Sequence, residues 1–301
     1  MNNLAYIMQG SKLKKKPYLI LFLKIAIFTA ILLIVYYFAI LKPRLEIPNA
    51  LLDAERNLSK HYYTLIENRL AYTELTRLDT TSGNFEFEKG EIIAKIKKTN
   101  EEGLKNLENP LKLKIVKGAP NETLNFLNEG LPKAYSTLLE KNKKVYLEQK
   151  SIIEDLNSFD SKVSKLFAYS PEADLGNLDP VKEKDEMLTR ITNAKQGLNK
   201  IKDEVLKSDQ NNEEVVNLSK EIETAIGLLT QLEDNLKKGT IRETQNIKNS
   251  FNNQFRKIKS SAFEAELSII KSPESVKLLT DQTNLIFEYE FWISKIRGLR
   301  N

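Results

Sequence analysis

The groups in this chain that could do chemistry are one imidazole, no thiol and several adjacent carboxylates. Glu101-Glu102, Glu213-Glu214 and Glu288 with Glu290 have the residue types for acid–base or glycoside chemistry. That chemistry also needs a concave site that raises one carboxyl pKa. Glu213 and Glu214 open a helical pattern, where acids favour the macrodipole, so a solvated helix face accounts for them better. His61 is the only histidine. Its unperturbed pKa would suit a pH switch, but it falls on an apolar ladder beside Tyr62 and Tyr63, as a partly buried polar residue would. A di-iron bundle site needs Glu-x-x-His on two helices, which one histidine cannot supply. The absence of cysteine removes disulfides, thiol nucleophiles, zinc-thiolate sites and iron–sulfur clusters. No Walker, dinucleotide or Gly-x-Ser-x-Gly fingerprint occurs, and Gly 11 with Pro 9 argues against phosphate loops and turn-dense β folds. The expectation is a non-enzyme with no catalytic, metal or cofactor residues. No motif ties the chain to a particular family.

The elements that would position such groups are helices. Lys, Glu, Asn, Ile and Leu dominate the 301 residues, a helix-forming vocabulary. The formal charge is +5, but the first 41 residues hold Lys12, Lys14, Lys15, Lys16 and Lys24 and no acid. The rest is formally neutral, with 41 basic and 41 acidic residues. A nucleic-acid groove needs clustered, uncompensated cations, so nucleic acid is excluded as a partner.

Residues 18–41 read YLILFLKIAIFTAILLIVYYFAIL, interrupted only by Lys24. As a helix the run is about 36 Å long, enough to cross a bilayer. Its Leu, Ile, Val and Phe residues contribute on the order of −5 to −10 kcal/mol toward insertion. Lys24 costs at most about 3 kcal/mol and can snorkel toward the lysine-rich tail. The run is too long for a signal-peptide core and lacks a small-x-small cleavage site. It therefore reads as an uncleaved signal anchor, with Tyr18, Tyr36 and Tyr37 at the interfaces. Lys12–Lys16 before it outnumber Lys42, Arg44 and Arg56 after it by four to three. This places residues 1–17 in the cytoplasm as a short basic tail and residues 42–301 outside it, with the inverted topology left open.

The body is a series of heptad segments. Leu51, Ala54, Leu58, His61, Leu65, Asn68, Tyr72 and Leu75 keep 3,4 spacing up to Thr80–Asn84. Tyr135, Leu138, Asn142, Val145, Gln149, Ile152, Leu156, Phe159, Val163 and Leu166 predict a helix over 132–169, with Pro132 in its first turn. The segment 170–180 reads as a linker, with Asp179 as an N-cap and Pro180 at the first helical position. Met187–Val205 and Val215–Leu236 make two further ladders, joined closely enough to force an antiparallel hairpin. Lys238-Gly239 closes the second. Thr240 with Glu243 has capping-box spacing for a helix carrying Phe251, Phe255, Ile258, Ala262, Ala265 and Ile269. Ser272-Pro273 opens the last. Breakers after every 25–40 residues or so favour antiparallel bundles over a parallel rod. The expected architecture is all-α, with a membrane-proximal sub-bundle over 42–169 and a distal one over 181–301.

Residues 84–117 admit a second reading. Phe85-Glu86-Phe87-Glu88 and Leu111–Ile115 alternate with period two and carry opposite charges, so they could pair as a minor β ribbon around a helix at 89–108. The polar ladder positions His61, Asn142 and Gln149 are candidates for setting register, including that of a homo-oligomer. In the last helix Leu285, Tyr289, Trp292, Ile296 and Leu299 form one stripe, widened by Ile286 and Ile293. Phe287 and Phe291 fall nearly opposite, as candidates for docking a protein partner. The functional expectation is a membrane-anchored scaffold or protein-interaction module of the cell envelope. A sensor or ligand-binding bundle is the alternative, and a carboxylate hydrolase the third class.

Overall fold

Apolar residues at 3,4 spacing decide where the helices lie, and prolines decide where they deform. The computed structural model describes residues 17–79, 83–108, 113–118, 121–167, 175 and 178–300. Its helices are α1 (Pro17–Tyr36), α2 (Lys42–Thr76), α3 (Phe85–Glu108), α4 (Glu122–Asn125), α5 (Leu131–Phe167), α6 (Lys184–Leu206), α7 (Glu213–Lys238), α8 (Ile241–Ile270) and α9 (Pro273–Arg300). No strand occurs among the described residues, and the fold is all-α. Two π-helical turns, Tyr37–Leu41 and Phe126–Gly130, join α1 to α2 and α4 to α5 without a break.

Both π turns precede a proline. A helical proline lacks an N–H, and its ring clashes with the carbonyl four residues back. Here Lys42 N–H donates to the Tyr37 carbonyl and Leu131 N–H to the Phe126 carbonyl. These wider i→i−5 bonds come one residue before Pro43 and Pro132, so each helix continues through its proline. Pro132 therefore lies inside a helical run that begins at Glu122, not at its start.

The chain forms two compact units that interleave in sequence. Unit 1 comprises Met1–Ser59, Leu111–Thr137 and Glu290–Asn301; unit 2 comprises Lys60–Pro110 and Leu138–Tyr289. This differs from a consecutive division at 170–180, because the long helices α2, α5 and α9 each contribute to both units. Residues 170–174, 176 and 177 of that segment lie outside the described residues.

In unit 1 the Phe126 and Trp292 rings stack at 6.2 Å, with the Lys295 ammonium 5.0 and 5.2 Å from their centroids. Arg297 and Arg300 both bond Glu55, at 2.7 and 2.6 Å. A non-helical strap, Leu113–Gly118, is fixed by side chains instead of by a strand. Asn128 accepts from the Val116 N–H at 3.1 Å and donates to its carbonyl at 2.8 Å. The β ribbon does not form: Phe85–Glu88 is the first turn of α3, with Phe85 buried in the core. Acidic side chains at a helix N-terminus suit the macrodipole, and burial of Phe85 in the core holds this alternating tetrapeptide helical.

In unit 2 the ladders of α6 and α7 bury the residues their spacing selects. Lys195–Glu233, Lys202–Glu223 and Lys184 to the Lys237 carbonyl pair in opposite chain directions, so the hairpin is antiparallel. Asn212 caps α7 by accepting from Glu214 and Val215 N–H. Gly239 ends it at φ 79°, with the Thr240 and Gly239 N–H groups returning to Asn235 and Leu236. This is a Schellman closure that only glycine enters without strain.

Four local expectations change. The Thr240 hydroxyl donates back to the Asn235 carbonyl and makes no side-chain cap for α8. Asp179 accepts from the Val181 and Lys182 N–H groups, but these belong to a separate turn, and α6 begins at Lys184. In α5 the buried seam steps from Gln149 to Ile153 and leaves Ile152 half-buried, while in α8 Ile270 takes the fully buried place expected of Ile269.

Because the native chain has no cysteine, Ile201→Cys with Ala225→Cys should form a disulfide within one chain, seen as a gel shift without dimer. Dimer alone would mean that the hairpin closes between molecules.

Candidate functional site

Polar side chains interrupt the apolar seams of unit 2 in successive layers. Lys89 occupies a core position of α3 in line with Phe85, Ile93 and Ile96. Its ammonium meets Glu266 of α8 at 2.6 Å, Asp160 of α5 at 3.0 Å and Glu86 of its own helix at 2.9 Å. It also lies 5.4 Å from the Phe85 ring centroid. Glu266 is fully buried, and Glu86 and Asp160 open to solvent. Burial pushes the Glu266 carboxyl up to about 8, with repulsion from Glu86 and Asp160 adding to the rise and Lys89 opposing it. Burial would lower Lys89, but the three carboxylates outweigh it and hold the ammonium above its ordinary range.

Oxygens of Glu86, Asp160 and Glu266 lie within 4.8 Å of one another, a spacing that suits a divalent cation. The Lys89 ammonium already bonds all three, so the lysine supplies the positive charge at this point. Sequence reading missed the cluster, although its signal was present: Lys89 sits at helical spacing within an apolar stripe, and Glu266 adjoins Ala265 on the buried face of α8.

Further layers join α2, α3, α5 and α9. Gln282 donates to Asn68 at 2.9 Å and Asn68 to Thr99 at 3.0 Å, linking α9, α2 and α3. The Tyr72 and Ser275 hydroxyls bond at 2.7 Å. Asn142 donates to the Tyr289 hydroxyl at 3.1 Å, and the His61 ring stacks on Tyr289 at 6.5 Å. Two of the three register candidates therefore meet at one tyrosine. His61 is buried, not partly exposed; burial and, less strongly, Lys60 lower its pKa to about 4, so it stays neutral near pH 7. Gln149 is fully buried elsewhere on α5, and neither amide atom finds a partner among the described residues. Asn100 donates to the Tyr146 carbonyl at 3.0 Å, and the Tyr146 ring lies directly over Gly103.

The remaining candidates lie at the surface. Tyr18 belongs to α1, but its side chain is outside the description; Lys24, Tyr36 and Tyr37 are exposed. Phe287 is 62% exposed and Phe291 58%, while Tyr289 and Ile293 on the opposite face are buried. Trp292 is half-buried against Phe126, and Phe291 meets it edge-on at 5.2 Å. Glu288 bonds Lys141 as a surface ion pair. Surface grooves in unit 2 include one of about 280 Å³ lined by Ile96, Asn100, Leu104 and Ile153, and one of about 400 Å³ beside Ser208 and Asn212. Neither is lined by Lys89 or Glu266. No family model, curated protein or solved structure matches this chain.

The buried carboxyl sets a pH dependence. Glu266 titrates near its ordinary 4.5 when unfolded and at about 8 when folded, so the fold holds the extra proton between these values and loses stability as pH rises. His61 acts oppositely, losing stability as pH falls from 6.5 toward about 4. Lys89 adds stability that is complete below its ordinary 10.5 and lost only above it. Between pH 6.5 and 8 Glu266 is the one of these three that titrates. The full chain in detergent should therefore show a falling denaturation midpoint across that window, and Glu266→Gln should flatten the slope. A flat wild-type profile would show that Glu266 keeps an ordinary pKa.

Gly103→Ala would drive a Cβ into the ring and hydroxyl of the fully buried Tyr146. Overpacking of about 1–3 kcal/mol should exceed the roughly 1 kcal/mol helix-propensity gain, leaving a net loss in denaturant titration. Gly197→Ala, with open space around its Cβ, should instead stabilise.

Proposed function

We propose that this chain is a single-pass membrane protein, anchored by residues 18–41, whose helical body lies outside the cytoplasm and serves as a scaffold or protein-interaction module of the cell envelope. One observation carries the reading. The apolar run from Leu21 onward is long and apolar enough to cross a membrane, with none of its hydrophobic window buried against the protein, and it continues helically into α2. An apolar helix this exposed has no partner in the fold, and lipid is the environment that suits it. Tyr36, Tyr37 and Lys42, which lies 5.4 Å from the Phe38 ring centroid, stand at its body-side end as an interfacial belt.

The scaffold part of the reading draws on the layered polar core and on Phe287 and Phe291. Hydrogen-bonded layers suit a bundle that keeps one register under load. Two phenylalanines one turn apart and facing solvent on α9 suit a protein partner. The basic tail of residues 1–17 supports the cytoplasmic placement of the N-terminus.

The test is membrane extraction combined with protease access. The full chain should resist alkaline carbonate, and protease added to intact spheroplasts should digest the body while leaving an N-terminal tag protected. Release by carbonate would refute the anchor. Digestion of the tag with a protected body would reverse the orientation alone.

A further inference from the structure

We infer that the strap Leu113–Gly118 is a second membrane contact, a basic loop that lies on anionic lipid headgroups beside the anchor. The inference rests on the anchor reading above. Gly118 fixes the strap's level: a Cβ there would lie 2.4 Å from Pro43 Cγ and 3.6 Å from the Ala39 carbonyl oxygen. Only glycine permits this approach, because the proline ring is rigid. At the other end Lys114 pairs with Glu46 at 4.0 Å. At 1.5 Å per residue, Pro43 and Glu46 lie about 3 and 7.5 Å beyond the end of the apolar run at Leu41. The headgroup layer is about 5–8 Å deep on each side, so the strap occupies that layer.

The side chains suit that depth. Ile115 is 72% exposed, and Leu45 on α2 is also exposed, whereas Val116, next to Ile115 in the strap, is fully buried. Lys114 and Lys117 flank Ile115 and face solvent, and Lys42 and Arg44 stand at the same level of α2, opposed there by Glu46. From Pro110 to Pro120 the sequence carries three lysines and no acid. The Asn128 amide, by holding both polar groups of the Val116 backbone, keeps this alternation of inward valine and outward isoleucine and lysine. Cations around an exposed isoleucine complement a surface that is anionic outside and apolar beneath. On whichever side of the bilayer the strap lies, a lysine close to an anionic lipid surface strengthens partitioning on the order of fivefold. A second copy of the chain would have to place its own acidic face against these lysines, and the test separates that case.

The absence of native cysteine permits single-site labelling. A nitrobenzoxadiazole probe is attached to Ile115→Cys or Ile31→Cys in the full chain, in nanodiscs of phosphatidylcholine alone or mixed equally with phosphatidylglycerol. Quenchers are carried at shallow lipid positions to read the Ile115 probe and at deep acyl positions to read the Ile31 probe. The Ile115 probe should be quenched severalfold in the mixed discs, less in phosphatidylcholine, and less again when Lys114→Gln and Lys117→Gln are added. A quenched Ile31 probe with an unquenched Ile115 probe overturns the inference and leaves the anchor standing. A blue-shifted Ile115 probe that lipid quenchers do not reach means a protein covers the strap, which also overturns it. If neither probe is quenched, the anchor reading and the inference fail together.

Discussion

The structure turns on a buried ammonium. Lys89 reaches across three helices, with Glu266, Asp160 and Glu86 each taking a proton of its head group. Desolvating a charge costs several kcal/mol, and Coulomb attraction offsets this only where the geometry is close and the hydrogen bonds are complete. Both conditions hold for the lysine. They hold less well for Glu266, whose Oε1 has no hydrogen-bond partner among the described residues and whose pKa is raised by burial. Removing one member of such a cluster strands the others at about 3–5 kcal/mol, whereas an apolar replacement of the whole set can be neutral. The cluster therefore specifies which faces of α3, α5 and α8 meet more than it stabilises their meeting.

The layers above it work in the same way with neutral groups. A heptad seam of leucine and isoleucine tolerates sliding, because one turn buries nearly the same area as the next. Asn68 between Thr99 and Gln282, and Tyr289 between Asn142 and His61, make polar and ring contacts that a slip of one turn would break. Gln149 falls outside this account: it is buried with no partner among the described residues, and the structure gives no reason for its retention.

In unit 1 the constraint is backbone chemistry. Pro43 and Pro132 each displace the helix ahead of them into a π turn. The residues four before those prolines are Ala39, whose carbonyl neighbours Gly118, and Asn128, whose amide holds Val116. The strap is thus fastened at the two places where the helices are widened.

The sequence alone determined the helical class, the long apolar N-terminal helix and most of the buried positions. All eight ladder residues from Leu51 to Leu75, and those of α6 and α7, are buried as their spacing requires. Periodicity is local, so it is legible without knowing what packs where. Gly239 after Lys238 sets a helix end through bonds within a few residues, and it was equally legible. Tertiary structure alone decided which helices share a layer. Lys89 and Glu266 are 177 positions apart, and no local pattern joins them. It also decided that Phe85–Glu88 is helical, since period two in four residues is too short to outweigh a neighbouring helix that buries Phe85. The interleaved units follow from the same cause: a helix the length of α5 passes through more than one environment, and a linear reading assigns it to one.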